Sequence, residues 1–186
     1  MKLSNSIFIL CIILIMSGCA YSVQETTETA AQPISTNTQM PLTFGLQKGD
    51  LAHPFSVMTT DGMILDNGSF SGPVLLYFFT TWCPYCKEDF DTLSLIYPEY
   101  EEEVSILAID MDLKEDAGLI SSYATRFPAL DSVWFALGNP KTLSAYQIKY
   151  TTTKYAIDRS GKVLYAGSGA FTEEQWRTLL DAMKDY

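Results

Sequence analysis

The stretch Val74-Leu75-Leu76-Tyr77-Phe78-Phe79-Thr80-Thr81-Trp82-Cys83-Pro84-Tyr85-Cys86 decides the fold of this chain. Its first six residues are apolar or aromatic without interruption, which is typical of a strand buried on both faces of a sheet. Pro84 suits the first turn of a helix, where the N–H that proline lacks has no partner. The stretch therefore predicts a central strand that turns into a helix, with two cysteines at the start of that helix.

Two cysteines separated by two residues at a helix start can close a disulfide within one turn. The first of them, Cys83, lies where unpaired backbone N–H groups and the helix dipole stabilise a thiolate. This spacing is typical of proteins that exchange thiols and disulfides.

A Cys-x-x-Cys pair is also half of a structural zinc site, which needs four ligands. The other cysteines of the chain are Cys11 and Cys19, both near the N-terminus, and the sole histidine, His53, lies outside any ligand spacing. One chain cannot assemble a closed zinc site from these residues. We therefore expect redox chemistry at the pair, without a metal or another cofactor.

The N-terminus has the pattern of a secretory signal. Lys2 precedes the apolar stretch 7–16 and the small residues Ser17 and Gly18. The stretch is much shorter than the roughly twenty residues that span a bilayer. Residues 16–19 resemble a bacterial lipobox, which implies a signal peptide over 1–18 and a lipid on Cys19. An ordinary signal peptide, or an uncleaved anchor that extends to Val23, remains an alternative.

Composition divides the rest of the chain. Residues 19–41 are rich in Thr, Gln, Ser and Ala, which predicts a flexible tether. Residues 42–186 suffice for one domain with its own core. The net charge of −10 argues against nucleic acid as a ligand and against binding to an anionic membrane surface. We expect a monomer.

The hydrophobic pattern predicts a hairpin, then a βαβ unit, then an inserted helix, then a second hairpin and a last helix. The predicted strands are 55–60, 63–65, 74–80, 104–110, 133–137, 154–158 and 162–167. The predicted helices are 84–97, 115–127, 141–146 and 173–183, the last of them capped by Thr172.

Three blocks of the sequence carry a family resemblance. Gly49-Asp50-Leu51-Ala52-His53-Pro54-Phe55, the stretch from Pro73 to Lys87 and Ala156-Ile157-Asp158-Arg159-Ser160-Gly161-Lys162-Val163 look like successive blocks of the TlpA/ResA-type thioredoxin-like proteins. The resemblance covers the chain after the tether. It implies an α/β thioredoxin fold with an N-terminal β-hairpin, a central αβ insertion and a mixed central sheet flanked by helices. It also implies extracytoplasmic thiol-disulfide exchange.

By this resemblance, Cys83 attacks and Cys86 resolves the mixed disulfide. The helix position agrees, since it predicts an exposed Cys83 and a partly buried Cys86. Trp82 is expected to pack beside the dithiol, and Pro84 and Tyr85 to set how far the thiolate is stabilised. The implied partners are protein disulfides and an upstream thiol donor in the membrane or in solution. Cytochrome maturation is the commonest role of such proteins.

Two positions depart from the family pattern. Asp89 stands where the family often has Glu, three residues after the second cysteine, and Tyr77 replaces the buried acid of thioredoxin. Asp89 is therefore either a proton relay to Cys86 or a surface carboxylate. Thr152 stands where the family has a cis-proline. A cis bond before threonine costs about 3–4 kcal/mol, so we expect either a trans peptide in a reshaped loop or a strained cis one.

Three other functions use some of the same residues. A copper protein would hold Cu(I) between Cys83 and Cys86, although no methionine or histidine cluster accompanies them. A thiol peroxidase would use Thr80, three residues before Cys83, but Leu76 occupies the position of a proline that those enzymes need. A scaffold would leave the dithiol idle. The pattern favours a lipid-anchored oxidoreductase on the periplasmic or outer side of a bacterial membrane, most simply as a reductant of partner proteins.

Overall fold

The computed structural model describes residues 43–186 as a mixed β-sheet with helices on both faces. The strands are β1 Phe44–Gly45, β2 Leu51–Ala52, β3 Ser56–Thr59, β4 Ile64–Asp66, β5 Val74–Phe79, β6 Ser105–Asp110, β7 Trp134–Leu137, β8 Thr153–Ile157 and β9 Val163–Gly167. The helices are α1 Pro84–Ile96, α2 Ala117–Ala124, α3 Pro140–Ala145 and α4 Glu173–Lys184.

The main sheet has seven strands in the order β4-β3-β7-β6-β5-β8-β9. Strands β5, β6 and β7 are parallel neighbours, and the remaining pairs are antiparallel. All six residues of β5 are buried. This central position explains the uninterrupted apolar run, because both faces of the strand lie against other parts of the protein.

Alternate residues of β5 point to two separate cores. Tyr77 and Phe79 belong to the core that α1, α2 and α4 cover. Leu76 and Phe78 face the opposite side, where Tyr146 and Phe55 pack. Because side chains alternate along a strand, one short segment anchors both layers.

The predicted order of elements is confirmed. The hairpin β3–β4, the unit β5-α1-β6, the inserted α2-β7-α3 and the final β8-β9-α4 follow one another as expected. The helix predicted over 115–127 is shorter, since Asp116 caps it and it ends at Ala124. Thr172 caps α4, as predicted: its hydroxyl oxygen accepts a hydrogen bond from the backbone N–H of Gln175.

The predictions for the N-terminus concern residues outside the described part of the chain. These are the signal peptide over 1–18, the lipidated Cys19 and the tether over 19–41. Within residues 43–186, no helix has the length and apolar character needed to cross a membrane.

Candidate active site at the start of helix α1

Cys83 is the N-cap of α1 and Pro84 is the first residue of that helix. The backbone N–H of Cys86 donates a hydrogen bond of 3.1 Å to the Sγ of Cys83. No disulfide joins the two cysteines in this structure. The sulfur of Cys83 thus occupies the position of a capping oxygen, where the helix dipole favours negative charge.

The expected exposure of Cys83 is wrong. Only 4% of its surface is exposed, because a loop of residues 150–152 approaches the cysteine. The thiol of Cys83 donates a hydrogen bond of 3.3 Å to the hydroxyl oxygen of Thr151 in that loop. Residues 150–152 are called the Cys83-facing loop below.

Cys86 is fully buried rather than partly buried. Burial raises the pKa of the Cys86 thiol to about 12, and the neighbouring Cys83 adds to the shift. The thiol of Cys86 therefore keeps its proton at neutral pH. Since the thiolate is the nucleophile in disulfide exchange, Cys86 needs a base nearby before it can react.

A groove of about 430 Å³ lies beside Cys83. It is lined by Thr80, Trp82, Met111, Asp112, Lys149, Tyr150 and Thr151. Trp82 and Tyr150 are more than two-thirds exposed at its edges, and Tyr85 is exposed on the first turn of α1. Trp82 precedes the cysteine in the chain and Thr151 contacts its sulfur, so the groove borders the residues that flank Cys83.

Carboxylates fix the turn that precedes Cys83. The indole N–H of Trp82 donates to Asp112 at 3.1 Å, and this bond lowers the pKa of Asp112. Glu115 accepts hydrogen bonds from both the backbone N–H and the hydroxyl of Thr81. The neighbouring Asp110 is buried at the end of β6, and burial raises its pKa to about 7, with a further contribution from Glu115.

Asp89 is fully buried, which excludes the surface interpretation. Its Oδ2 accepts hydrogen bonds from the hydroxyl of Tyr77 at 2.8 Å and from the ammonium of Lys154 at 3.2 Å. Its Oδ1 accepts from the backbone N–H of Phe171 at 2.8 Å and from the indole of Trp176 at 3.1 Å. The carboxylate is thus held by four donors from four parts of the chain.

Tyr77 connects Asp89 to the dithiol. Its hydroxyl also interacts with the thiol of Cys86, and burial together with the charge on Asp89 raises the pKa of Tyr77 well above its usual value. Sequence reasoning treated Tyr77 as the loss of an acid. In the structure, Tyr77 is the polar link between Asp89 and Cys86.

Sequence reasoning missed Lys154, which is completely buried and pairs with Tyr77 across β8 and β5. Besides Asp89, its ammonium donates to the backbone oxygens of Thr152 at 3.0 Å and of Gly169 at 2.6 Å. A signal for it existed: a lysine inside an otherwise buried strand requires a buried acid, and Asp89 was the available one.

Three aromatic rings surround the Lys154 ammonium at cation–π distance. The ring centroids of Phe171, Trp176 and Tyr77 lie 4.4, 5.0 and 5.1 Å from its Nζ. Burial lowers the pKa of Lys154, while the charge on Asp89 opposes this shift. Rings and carboxylate together replace part of the water that the cation loses.

Thr152 adopts the first of its two expected states, a trans peptide in a reshaped loop. No peptide bond between residues 43 and 186 is cis. Thr152 has φ of 59°, a left-handed conformation that a proline ring cannot adopt. Its hydroxyl oxygen accepts a hydrogen bond of 3.0 Å from the backbone N–H of Gly169.

His53 lies away from the dithiol. Its ring neighbours those of Phe44 and Tyr146, and its backbone oxygen accepts a hydrogen bond of 2.6 Å from the hydroxyl of Tyr146. In the described part of the chain, no group of three or more His, Cys, Asp or Glu side chains has a metal-binding arrangement.

Known proteins are similar to this chain in sequence and in fold. The chain matches the model of the AhpC/TSA family over residues 48–166. It is 31% identical over 135 residues to the thiol-disulfide oxidoreductase ResA of Bacillus cereus, which covers 70% of this chain and 75% of ResA.

Solved structures agree in fold. A putative thiol:disulfide interchange protein DsbE from Chlorobium tepidum superposes with a TM-score of 0.64 at 25% identity, over 75% of this chain and 99% of that one. Copper-bound ScoI of Arabidopsis thaliana superposes with a TM-score of 0.61 at 16% identity, over 73% of this chain and 99% of ScoI. At that identity, the second likeness concerns the fold alone.

The fold and the sequence match place the chain in the AhpC/TSA family of thioredoxin-fold proteins. Within that class it is a ResA-like thiol-disulfide oxidoreductase, an enzyme that acts on protein disulfides.

Proposed function

We propose that this oxidoreductase works outside the cytoplasm, tethered to a bacterial membrane, and reduces disulfides of partner proteins through Cys83 and Cys86. The hydrogen bond from the N–H of Cys86 to the Sγ of Cys83 carries the proposal. This bond supports a thiolate on Cys83 at the start of α1, while the neighbouring Cys86 remains a protonated thiol.

The reaction has two exchange steps. The thiolate of Cys83 attacks one sulfur of the partner's disulfide, so that a Cys83–partner disulfide forms and the partner's other sulfur leaves as a thiolate. Cys86 then loses its proton and attacks the Sγ of Cys83. The second partner sulfur leaves, the partner has gained two electrons, and Cys83 and Cys86 are joined. An upstream dithiol donor returns the pair to its reduced state.

The proton of Cys86 moves towards Asp89. The hydroxyl of Tyr77 interacts with the Cys86 thiol and donates to Asp89 at 2.8 Å. A proton that passes from Cys86 to the Tyr77 oxygen therefore displaces the tyrosine proton onto the carboxylate. This relay supplies the base that a thiol with a pKa of about 12 needs.

The reducing direction is proposed from the resemblance of the sequence to the TlpA/ResA-type proteins. Stabilisation of the reduced dithiol makes a strong oxidant, so the potential of the Cys83–Cys86 pair tests the direction.

A redox titration of the purified protein against glutathione and dithiothreitol buffers tests the direction of transfer. We expect a potential more negative than about −200 mV, in the range of cellular reductants. A potential near about −120 mV, as in strong dithiol oxidants, would contradict the reducing role.

The location is proposed from the N-terminal sequence. The lipobox-like residues 16–19 and the polar segment after them fit a lipid on Cys19 and a tether. Metabolic labelling with a palmitate analogue, followed by membrane fractionation, tests this anchoring. We expect label and membrane association in the wild-type chain and neither in Cys19→Ala; an unlabelled wild-type chain would contradict the lipid anchor.

A further inference from the structure

Lys154 takes no part in the exchange steps, yet it lies at the junction of the two halves of the site. Its ammonium contacts Asp89, which is linked to Cys86 through Tyr77. The same ammonium donates to the backbone oxygen of Thr152, next in the chain to the Thr151 that contacts Cys83. One buried cation therefore joins the acid to the Cys83-facing loop.

The loop needs such support because its backbone is unusual. Thr152 has φ of 59°, a region that non-glycine residues adopt only when the surrounding structure holds them there. Two contacts from other segments hold this residue: Lys154 donates to its carbonyl, and the N–H of Gly169 donates to its hydroxyl oxygen. The Thr152 hydroxyl in turn donates to the backbone oxygen of Thr151 within the loop. Lys154 also donates to the carbonyl of Gly169. Lys154, Thr152 and Gly169 are therefore joined pairwise by three hydrogen bonds.

From these contacts we propose that Lys154 is a positioning residue for disulfide exchange: its ammonium holds the Cys83-facing loop in the place where a partner chain docks. The inference rests on the proposed role of Cys83. The family pattern has a proline at position 152. In this chain, the buried Lys154, two residues further along, holds the loop in place instead.

The position of the loop affects a large partner and a small reagent in different ways. Tyr150 and Thr151 line the groove together with Trp82. A peptide that carries a disulfide must fit along this groove, whereas iodoacetamide needs only access to the sulfur, which the loop now limits. Loss of Lys154 should therefore raise the KM for a peptide disulfide without slowing the alkylation of Cys83.

Lys154→Met alone would leave the Asp89 carboxylate buried without its cation, which destabilises the fold by itself. The test therefore compares Lys154→Met/Asp89→Asn with Asp89→Asn, so that both proteins lack the carboxylate and differ only in the lysine. In Asp89→Asn, the ammonium keeps the carbonyls of Thr152 and Gly169 and the three rings as partners. Lys162→Met is the matched control, since Lys162 is an exposed lysine in the connection between β8 and β9. Thermal unfolding of each variant shows that it is folded.

Steady-state kinetics with a synthetic peptide disulfide are measured for each protein, and the alkylation rate of Cys83 is measured in a Cys86→Ser background. We expect Lys154→Met/Asp89→Asn to raise the KM at least about tenfold over Asp89→Asn, with no fall in the alkylation rate, since misplacement of a docking element alone carries penalties of this size. Lys162→Met should match the wild type.

An unchanged KM in the double variant would overturn the proposal, and so would a parallel fall in alkylation, which would place the effect on the thiolate. If the methionine variant does not fold, Lys154→Gln/Asp89→Asn serves instead, because its shorter neutral side chain lacks the ammonium that binds Thr152. A wild-type protein without any exchange would refute the proposed function. An active wild type with equal KM values would refute only the role of Lys154.

Discussion

The backbone N–H of Cys86 donates a 3.1 Å hydrogen bond to the Sγ of Cys83. A sulfur therefore fills the capping position that Ser, Thr, Asp or Asn takes at most helix starts. The same contact aligns the two cysteines within one turn, so that charge on the first is stabilised while the second stays close enough to displace a captured partner. The chemistry of the site follows from this helix start and from the buried groups behind it.

Asp89→Asn should slow the second exchange step. The amide keeps the size of the side chain but cannot take up the proton that Cys86 releases, and general base catalysis contributes roughly 10²–10⁴-fold to such steps. We expect the mixed disulfide with a partner peptide to accumulate, which rapid acid quench and mass spectrometry would measure.

Asp89→Glu is the control for the relay. It retains the carboxylate but adds a methylene to a fully buried position, at a cost of about 1–3 kcal/mol in stability. It should resolve the mixed disulfide faster than Asp89→Asn. Equal resolution rates in the wild type and Asp89→Asn would remove Asp89 from the mechanism.

Thr152→Pro should damage the protein even though it restores the residue typical of the family. Proline fixes φ near −65°, whereas Thr152 has φ of 59°. We expect a loss of about 1–3 kcal/mol in the free energy of unfolding, measured by urea denaturation, together with weaker exchange. Thr152→Gly, which adopts the observed φ without strain, should lose less. A proline variant as stable and active as the wild type would show that the loop can take another conformation.

Asp110 should make the fold less stable as the pH rises. Its pKa is about 7 in the folded protein, above its ordinary value of 3.8, chiefly because it is buried. The folded state therefore holds a proton that the unfolded chain has released between about pH 4 and pH 7, and stability falls across this window.

Asp110→Asn removes that dependence and keeps an oxygen for the hydrogen bond from the N–H of Asp112. We expect the variant to be more stable than the wild type by on the order of 2–4 kcal/mol at pH 8, with little difference near pH 4. Denaturant unfolding at the two pH values measures this. An equal effect at both would mean that the pKa of Asp110 does not differ between the folded protein and the unfolded chain.

The fold was predictable because its signals are local and repeated. The apolar run of β5, the cysteines with Pro84 at the start of α1 and the cap at Thr172 each specify an element without long-range information. The two short strands β1 and β2 were not predicted, since a pair of residues carries no periodicity.

The site was predictable only in part. The spacing of the two cysteines identifies them as a redox pair. The burial of Cys83, however, depends on a loop that follows it by more than sixty residues in the sequence. Lys87 and Glu88 are exposed, yet Asp89 faces inward because helix positions one residue apart lie on different faces. Lys154 meets Asp89 only through the pairing of β8 with β5.

The central claim is that Cys83 attacks and Cys86 resolves, and trapping of a mixed disulfide tests it most directly. Cys86→Ser is incubated with a peptide disulfide, and the adduct is mapped by mass spectrometry under non-reducing conditions. We expect a stable adduct on Cys83 in Cys86→Ser, and neither adduct nor turnover in Cys83→Ser. A Cys83→Ser protein that remains fully active, or an adduct on Cys86 in that variant, would contradict the account.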